Sequence, residues 1–214
     1  MSVIKRFEKL DFCEREALRY LRFGQSEADE RTHSALEEVK KEAEAVLAPS
    51  VCYLQADVCG NCVGGIFVGE KSAGRFLSGC RRAVVFAATL GIGIDRLLSK
   101  YGQTDAFKCA LLQAVGAAYA ESLCDAFCSF LQENRKEALG DRFSPGYGDF
   151  PLQAQREIFA LLSPERAIGL TLNESLLMSP SKSVTAIVGW GAPKTEKGCA
   201  SCQMQDCDYR KDIK

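Results

Sequence analysis

The chain has 214 residues, a formal net charge of -1 and 26% charged residues. It therefore lacks the basic excess that phosphate-backbone binding requires, and nucleic acid is not an expected partner. Met1 to Asp11 alternates charges with isolated apolar residues, unlike a signal peptide or membrane span, so the expected location is cytoplasmic, with no membrane partner. In that compartment the eleven cysteines read as buried thiols or metal ligands rather than as disulfides.

Glu14 to Arg22 predicts a short helix, and Ser26 with Asp29 three residues on predicts a capping box opening a second. On that second helix Leu36, Val39, Ala43 and Val46 share a face until Pro49 ends it, and His33 sits among charged neighbours as a surface side chain. From Ser50 the pattern changes to β-rich runs, Val51 to Val58 and Val63 to Val68, joined as a hairpin by Cys59-Gly60-Asn61-Cys62. A small helix near Ala73 to Ser78 comes before Ala83 to Leu90, a short and almost wholly apolar run that suits a strand covered on both faces. Gly91-Ile92-Gly93 follows it, but the third glycine of a dinucleotide fingerprint is replaced by Arg96 and no βαβ unit surrounds it, so the segment reads as a tight turn.

Thr104 and Asp105 open the longest helical pattern, with Phe107, Leu111, Val115, Ala118, Ser122, Ala126 and Phe130 along one stripe. Carried to Ala138 it spans roughly 50 Å at 1.5 Å per residue, which predicts a bend. Cys124 and Cys128 lie four apart on it, beside stripe residues, and read as core. Beyond lie an irregular segment from Gly140 to Pro151, a helix from Leu152 to Leu162, a short strand around Ser175 to Met178 and a strand from Val184 to Trp190. Helices outweigh mixed strands, so the class is α+β. The expected organisation is one unit over 1–191, with N-terminal helices in 1–49 and an α+β body in 50–191, and a cysteine-rich tail over 192–214.

Two segments carry chemistry. Arg142-Phe143-Ser144-Pro145-Gly146-Tyr147-Gly148-Asp149-Phe150-Pro151 fixes an irregular backbone whose amides and carbonyls are left for a ligand. There Arg142 offers a planar fork for a carboxylate, Gly146 and Gly148 allow close approach to the main chain, and Tyr147 adds an aromatic face. The alternative is a plain loop between two helices. The tail holds Cys199, Cys202 and Cys207 in a C-x2-C-x4-C spacing, and Cys59 or Cys62, a second C-x2-C, can supply a fourth ligand if the tail folds back. Such a set suits zinc or an iron–sulfur cluster, which spacing does not separate, and an unmetallated thiol tail is the other reading.

Arg142 followed by Ser144-Pro145-Gly146-Tyr147 resembles the R-x-x-P-G-Y segment of the activation domain of cobalamin-dependent methionine synthase. Ile168-Gly169-Leu170-Thr171-Leu172-Asn173-Glu174-Ser175, then Met178, Pro180, Ser183 and Val184, follow that family's second run in order and nearly in spacing. The similarity is clear from Ala83 to Trp190. It implies long helices packed with a twisted, mainly antiparallel sheet, and a site for S-adenosylmethionine. Carried over, Arg142 pairs the methionyl carboxylate, the backbone near Ser144, Pro145 and Gly146 holds the adenosine part, and Tyr147 lines the ligand or faces the corrin. Asp125 matches an acidic position near the family's cofactor site, though by itself it reads as a surface charge. The family's acidic ligand contact near the N-terminus has no clear match among Asp11, Glu14 and Glu16. The family's module does not depend on a cysteine tail, so the resemblance assigns the tail no role.

The resemblance implies a stand-alone reactivation module of methionine biosynthesis. It would be a component of a methyltransferase activity with no catalytic side chain of its own, positioning S-adenosylmethionine for reductive remethylation of cobalamin. The cobalamin would sit on a partner, a methionine synthase or another corrinoid protein, and an electron donor would be needed. Two alternatives stay open: a metal or iron–sulfur redox subunit for a corrinoid methyltransferase, and a regulatory subunit that senses S-adenosylmethionine.

Overall fold

The computed structural model describes residues 2–22, 28–133 and 137–191. In chain order the elements are β1 (Val3–Arg6), α1 (Glu14–Tyr20), α2 (Glu30–Glu44), β2 (Ser50–Cys59), β3 (Cys62–Val63), β4 (Ile66–Phe67), α3 (Glu70–Phe76), β5 (Arg82–Thr89), α4 (Gly93–Thr104), α5 (Ala106–Glu133), α6 (Ala154–Leu162), α7 (Pro164–Ile168), β6 (Thr171–Leu172), β7 (Met178–Ser179) and β8 (Ser183–Gly189). The main sheet runs β4-β3-β2-β5-β8, with β1 also paired to β2, and every pairing is antiparallel. Among the described residues no helix is long and apolar enough to cross a membrane.

The apolar run of β5 is explained by what lies on its two faces. Val84, Phe86 and Ala88 point into one core, shared with residues of α1, α2, α4 and α5. Ala83, Val85 and Ala87 point into a second, built with α3, α6 and the β3–β4 hairpin. Strand alternation thus serves two layers at once, so neither face has polar positions. The first core is fixed by an aromatic cluster in which Phe127 stands 5.0 Å from Tyr53 and 4.9 Å from Phe86, centroid to centroid. The fully buried rings of Phe86 and Phe127 each contribute roughly 1.5–3 kcal/mol.

Asp29 alone caps α2: the Thr32 N–H donates to its carboxylate at 2.8 Å, while Ser26 of the expected capping box lies outside the described residues. His33 stays near the surface, its ring 2.7 Å from Glu14 and tying α2 to α1. The expected second hairpin strand divides in two, β3 and β4, because the chain turns again at Gly64 and Gly65, both with positive φ. The Gly91-Ile92-Gly93 turn exists for packing: a Cβ on Gly93 would stand 2.3 Å from the Val46 carbonyl oxygen, so the end of α2 could not approach any larger residue there.

Three expectations need correction. The N-terminal 1–49 segment is not wholly helical: Val3–Arg6 forms an edge strand on β2, with Val3 and Ile4 exposed. Phe107 leaves the stripe of α5 and faces solvent, because α5 is lined on one side by α1, α2 and α4 and on the other by the sheet, which widens its buried surface to include Leu112, Tyr119, Leu123 and Phe127. Cys124 is part of that surface, and burial pushes its thiol up to about 12, while Cys128 is half-buried beside it. The short strand expected at Ser175 to Met178 is instead the β6–β7 hairpin, in which Thr171 pairs with Ser179 and Leu172 with Met178.

Candidate functional site

After α5 the chain returns along the free edge of β8. Gly140 N–H donates to the Gly189 carbonyl at 2.9 Å, and Phe143 exchanges bonds with Ile187 at 3.0 and 2.9 Å. Phe143 then turns into the second core, stacked on Phe76 with centroids 4.8 Å apart and tilted against Phe150. Because neighbouring residues on an extended path face opposite sides, Arg142 is sent the other way, onto α5. There its guanidinium donates to Asp125 at 2.5 Å and to Glu121 at 2.6 Å.

Glu121 and Asp125 are four apart on one helix, so they lie on one side of it, and a planar fork spans them as it would a bidentate anion. Burial opposes the charge on Arg142, but the Cys124 sulfur, Asp125 and Glu121 more than offset it and push its pKa above the ordinary arginine value. The arginine is therefore a permanent cation. Its side chain is 23% exposed, whereas Asp125 is 73% exposed, so the cation is anchored and one of its partners is free to leave. Glu121 was not singled out in the sequence, where only its spacing from Asp125 could have drawn attention.

The N-terminal helix adds a second string of charge. Arg19 donates to Glu16 at 2.7 and 3.0 Å and lies over the Tyr20 ring at 4.5 Å. The Tyr20 hydroxyl is pushed up chiefly by burial and then by Glu121, and α1 packs against α5, the helix that carries Glu121 and Asp125. Of the three acidic candidates, Glu14 meets His33, Glu16 meets Arg19 and Asp11 is exposed.

The Ser144 to Asp149 segment is less open than expected. Gly146 N–H donates to Phe150, Tyr147 to Ser144 and Phe150 to Tyr147, so turns inside the loop satisfy part of the main chain. Gly146 and Gly148 take φ of 90° and 59°, Pro145 is buried, and Tyr147 stands 75% exposed at the tip. The structure thus brings Arg142 and Asp125 together, with Ser144, Pro145, Gly146 and Tyr147 on the adjoining loop. Cys199, Cys202 and Cys207 lie outside the described residues.

Asp149 anchors this loop. The Ser72 hydroxyl donates to it at 2.6 Å, and the amides of Lys71 and Ser72, in the first turn of α3, donate at 2.8 and 2.9 Å. These bonds, the Ser72 hydroxyl first, hold its carboxyl at about 2. A depressed folded-state pKa contributes stability that is full above the unfolded value and is lost as pH falls through the folded one, here between about pH 4 and pH 2. In urea titrations the wild type is expected to lose more stability across that window than Asp149→Asn. An equal loss in both would remove Asp149 from this role.

A separate open cleft lies at the far end of β2, lined by Asp57, Cys59, Cys62, Gly64, Arg82 and Leu161. It is a different part of the surface from the Arg142 cluster. Among the described residues no three His, Cys, Asp or Glu side chains come together as a metal site.

A family model described as vitamin B12 dependent methionine synthase, activation domain, matches residues 78–212. It begins ahead of Ala83 and continues past Trp190 through the cysteine cluster, further than the motifs alone reach. No curated protein matches. Among solved structures, one described as the crystal structure of the MetH reactivation domain bound to AdoHcy is similar, with a TM-score of 0.58, 17% sequence identity, and coverage of 92% of this chain and 80% of that chain. The shared architecture of helices around a curled antiparallel sheet is that of the reactivation domain.

Proposed function

The chain belongs to the family of activation domains of vitamin B12-dependent methionine synthase, and from that membership we propose that it binds S-adenosylmethionine and presents the sulfonium methyl to cobalamin on a separate corrinoid protein. The observation that carries this reading is the anchored Arg142 fork, held by Glu121 and by the exposed Asp125 beside the Ser144–Gly148 loop. The methionyl carboxylate takes the position of Asp125 on the fork. Displacing Asp125 costs little, since an exposed ion pair is worth about 0–1 kcal/mol.

In this reading the backbone of Ser144, Pro145 and Gly146 receives the adenosine part. Tyr147, standing out at the loop tip, covers the ligand or meets the corrin face. The reduced corrinoid supplies the nucleophile when it is docked, so this chain needs neither a base nor a nucleophilic side chain. Its contribution is position: a methyl held in line and shielded from water reacts as an intramolecular group does. The site is open to solvent, which fits a ligand completed by a second surface. The electron that returns cobalt to its reactive state comes from a donor outside the described residues.

The test is calorimetric titration of the full-length protein with S-adenosylmethionine, alone and with a corrinoid protein present. Binding is expected in both, tighter with the corrinoid protein. Absence of binding in both would end this reading and favour a redox subunit. Binding with no gain in the rate of cobalt methylation would leave a regulatory sensor.

A further inference from the structure

We infer that Thr185 and Gln155 read the adenine edge of S-adenosylmethionine beneath the Ser144–Gly146 loop, through the Thr185 hydroxyl and the Gln155 amide oxygen. The inference rests on the binding reading above and adds to it what makes the site selective for adenosine.

Thr185 lies on β8, whose side chains alternate between the two cores. Val184, Ala186 and Val188 pack in the first, so Thr185 faces the second together with Ile187. Gln155 lies on the buried face of α6 with Ala154, Ile158 and Leu162, which pack in that same second core. Thr185 is 1% exposed and Gln155 7%, yet neither the Thr185 Oγ1 nor the Gln155 Oε1 has a hydrogen-bond partner among the described residues. A buried polar atom left unpaired costs stability, and an apolar side chain of the same shape would avoid that cost. Two such atoms facing one layer mark groups kept for a ligand rather than for the fold.

The backbone brings both residues to the loop. The Phe143–Ile187 bridge is antiparallel, so two residues further on Pro145 comes opposite Thr185. Pro145 has no N–H to continue the ladder, and among the described residues no hydrogen bond joins Ser144, Pro145 or Gly146 to β8. On the other side, a Cβ on Gly146 would stand 3.3 Å from Leu152, and the Gln155 N–H donates to the Leu152 carbonyl at 3.1 Å. The loop is thus flanked by the two residues that carry the unpaired atoms. Its far end is fixed on α3 through Asp149, while its Ser144 end is free to rise from the edge of β8. Arg142 faces α5, on the opposite side of this edge, so a ligand held there by its carboxylate passes round the edge and delivers its base under the raised loop.

Adenine presents a donor, its exocyclic amine, beside an acceptor, a bare ring nitrogen. The Gln155 amide oxygen accepts from the first, and the Thr185 hydroxyl donates to the second. In the deaminated base an oxygen replaces the amine, and the Gln155 oxygen then faces a second acceptor. A site built on buried polar groups rejects such a mismatch strongly, because those groups are left unpaired.

The experiment titrates full-length wild type, Thr185→Val, Gln155→Met and the double variant with S-adenosylmethionine and with its S-inosyl counterpart, and records thermal midpoints without ligand. Each single variant is expected to bind S-adenosylmethionine about 5- to 30-fold more weakly, with a midpoint equal to or above that of the wild type. The wild type should prefer the adenosyl over the inosyl ligand, and the double variant should lose that preference. Wild-type binding that persists unchanged in the variants, or that does not distinguish the two bases, would overturn this inference alone. So would weaker binding accompanied by a lowered midpoint, which would make the two ordinary packing residues. No binding of S-adenosylmethionine by the wild type would overturn the binding reading and this inference with it.

Discussion

Arg142→Ala is expected to bind S-adenosylmethionine roughly 10- to 100-fold more weakly than the wild type by calorimetry. A hydrogen bond to a charged group is worth about 1.5–3 kcal/mol, and each 1.4 kcal/mol is tenfold in affinity. The substitution removes the fork that fits a carboxylate and leaves Glu121 and Asp125 facing each other without a cation. Both carboxylates reach solvent, so their repulsion is screened and the fold should survive. Arg142→Lys keeps the charge but not the planar two-point geometry, and should fall between the two. Asp125→Asn weakens a competitor of the ligand carboxylate and should leave affinity unchanged or raised. Unaltered binding in Arg142→Ala would place the ligand elsewhere.

Gly69→Ala is expected to lower stability by about 2–4 kcal/mol, a fall of roughly 10 °C in thermal midpoint for a domain of this size. Gly69 has φ 86° and ψ 150°, a region essentially confined to glycine, where a side chain costs about 1–3 kcal/mol. A Cβ there would also stand 2.5 Å from the Asp149 carbonyl oxygen and 2.6 Å from its carboxylate. Overlap of this kind costs about 1–3 kcal/mol unless the backbone moves. What must move is the loop between Ser144 and Phe150, so S-adenosylmethionine affinity should fall along with stability. A variant that unfolds near the wild-type temperature would show that this loop is not held by the start of α3.

The sequence by itself determined the local elements and the family. The apolar run of β5, the Cys59–Cys62 turn and the order of Arg142 and Gly169–Val184 are legible because strand period, turn chemistry and motif spacing are local properties. So is the absence of a dinucleotide fingerprint around Gly91 and Gly93. Tertiary structure decided what each local feature faces. Val3–Arg6 has too few apolar residues to signal a strand, and it becomes one because the edge of β2 offers unpaired backbone groups. Phe107 fits the helical period yet is exposed, since no layer covers the start of α5 on that side. The pairing of Arg142 with both Glu121 and Asp125 joins residues 21 and 17 positions away, across a return along β8 that no period encodes. Side-chain period specifies a face, and only the packing of layers specifies what that face meets.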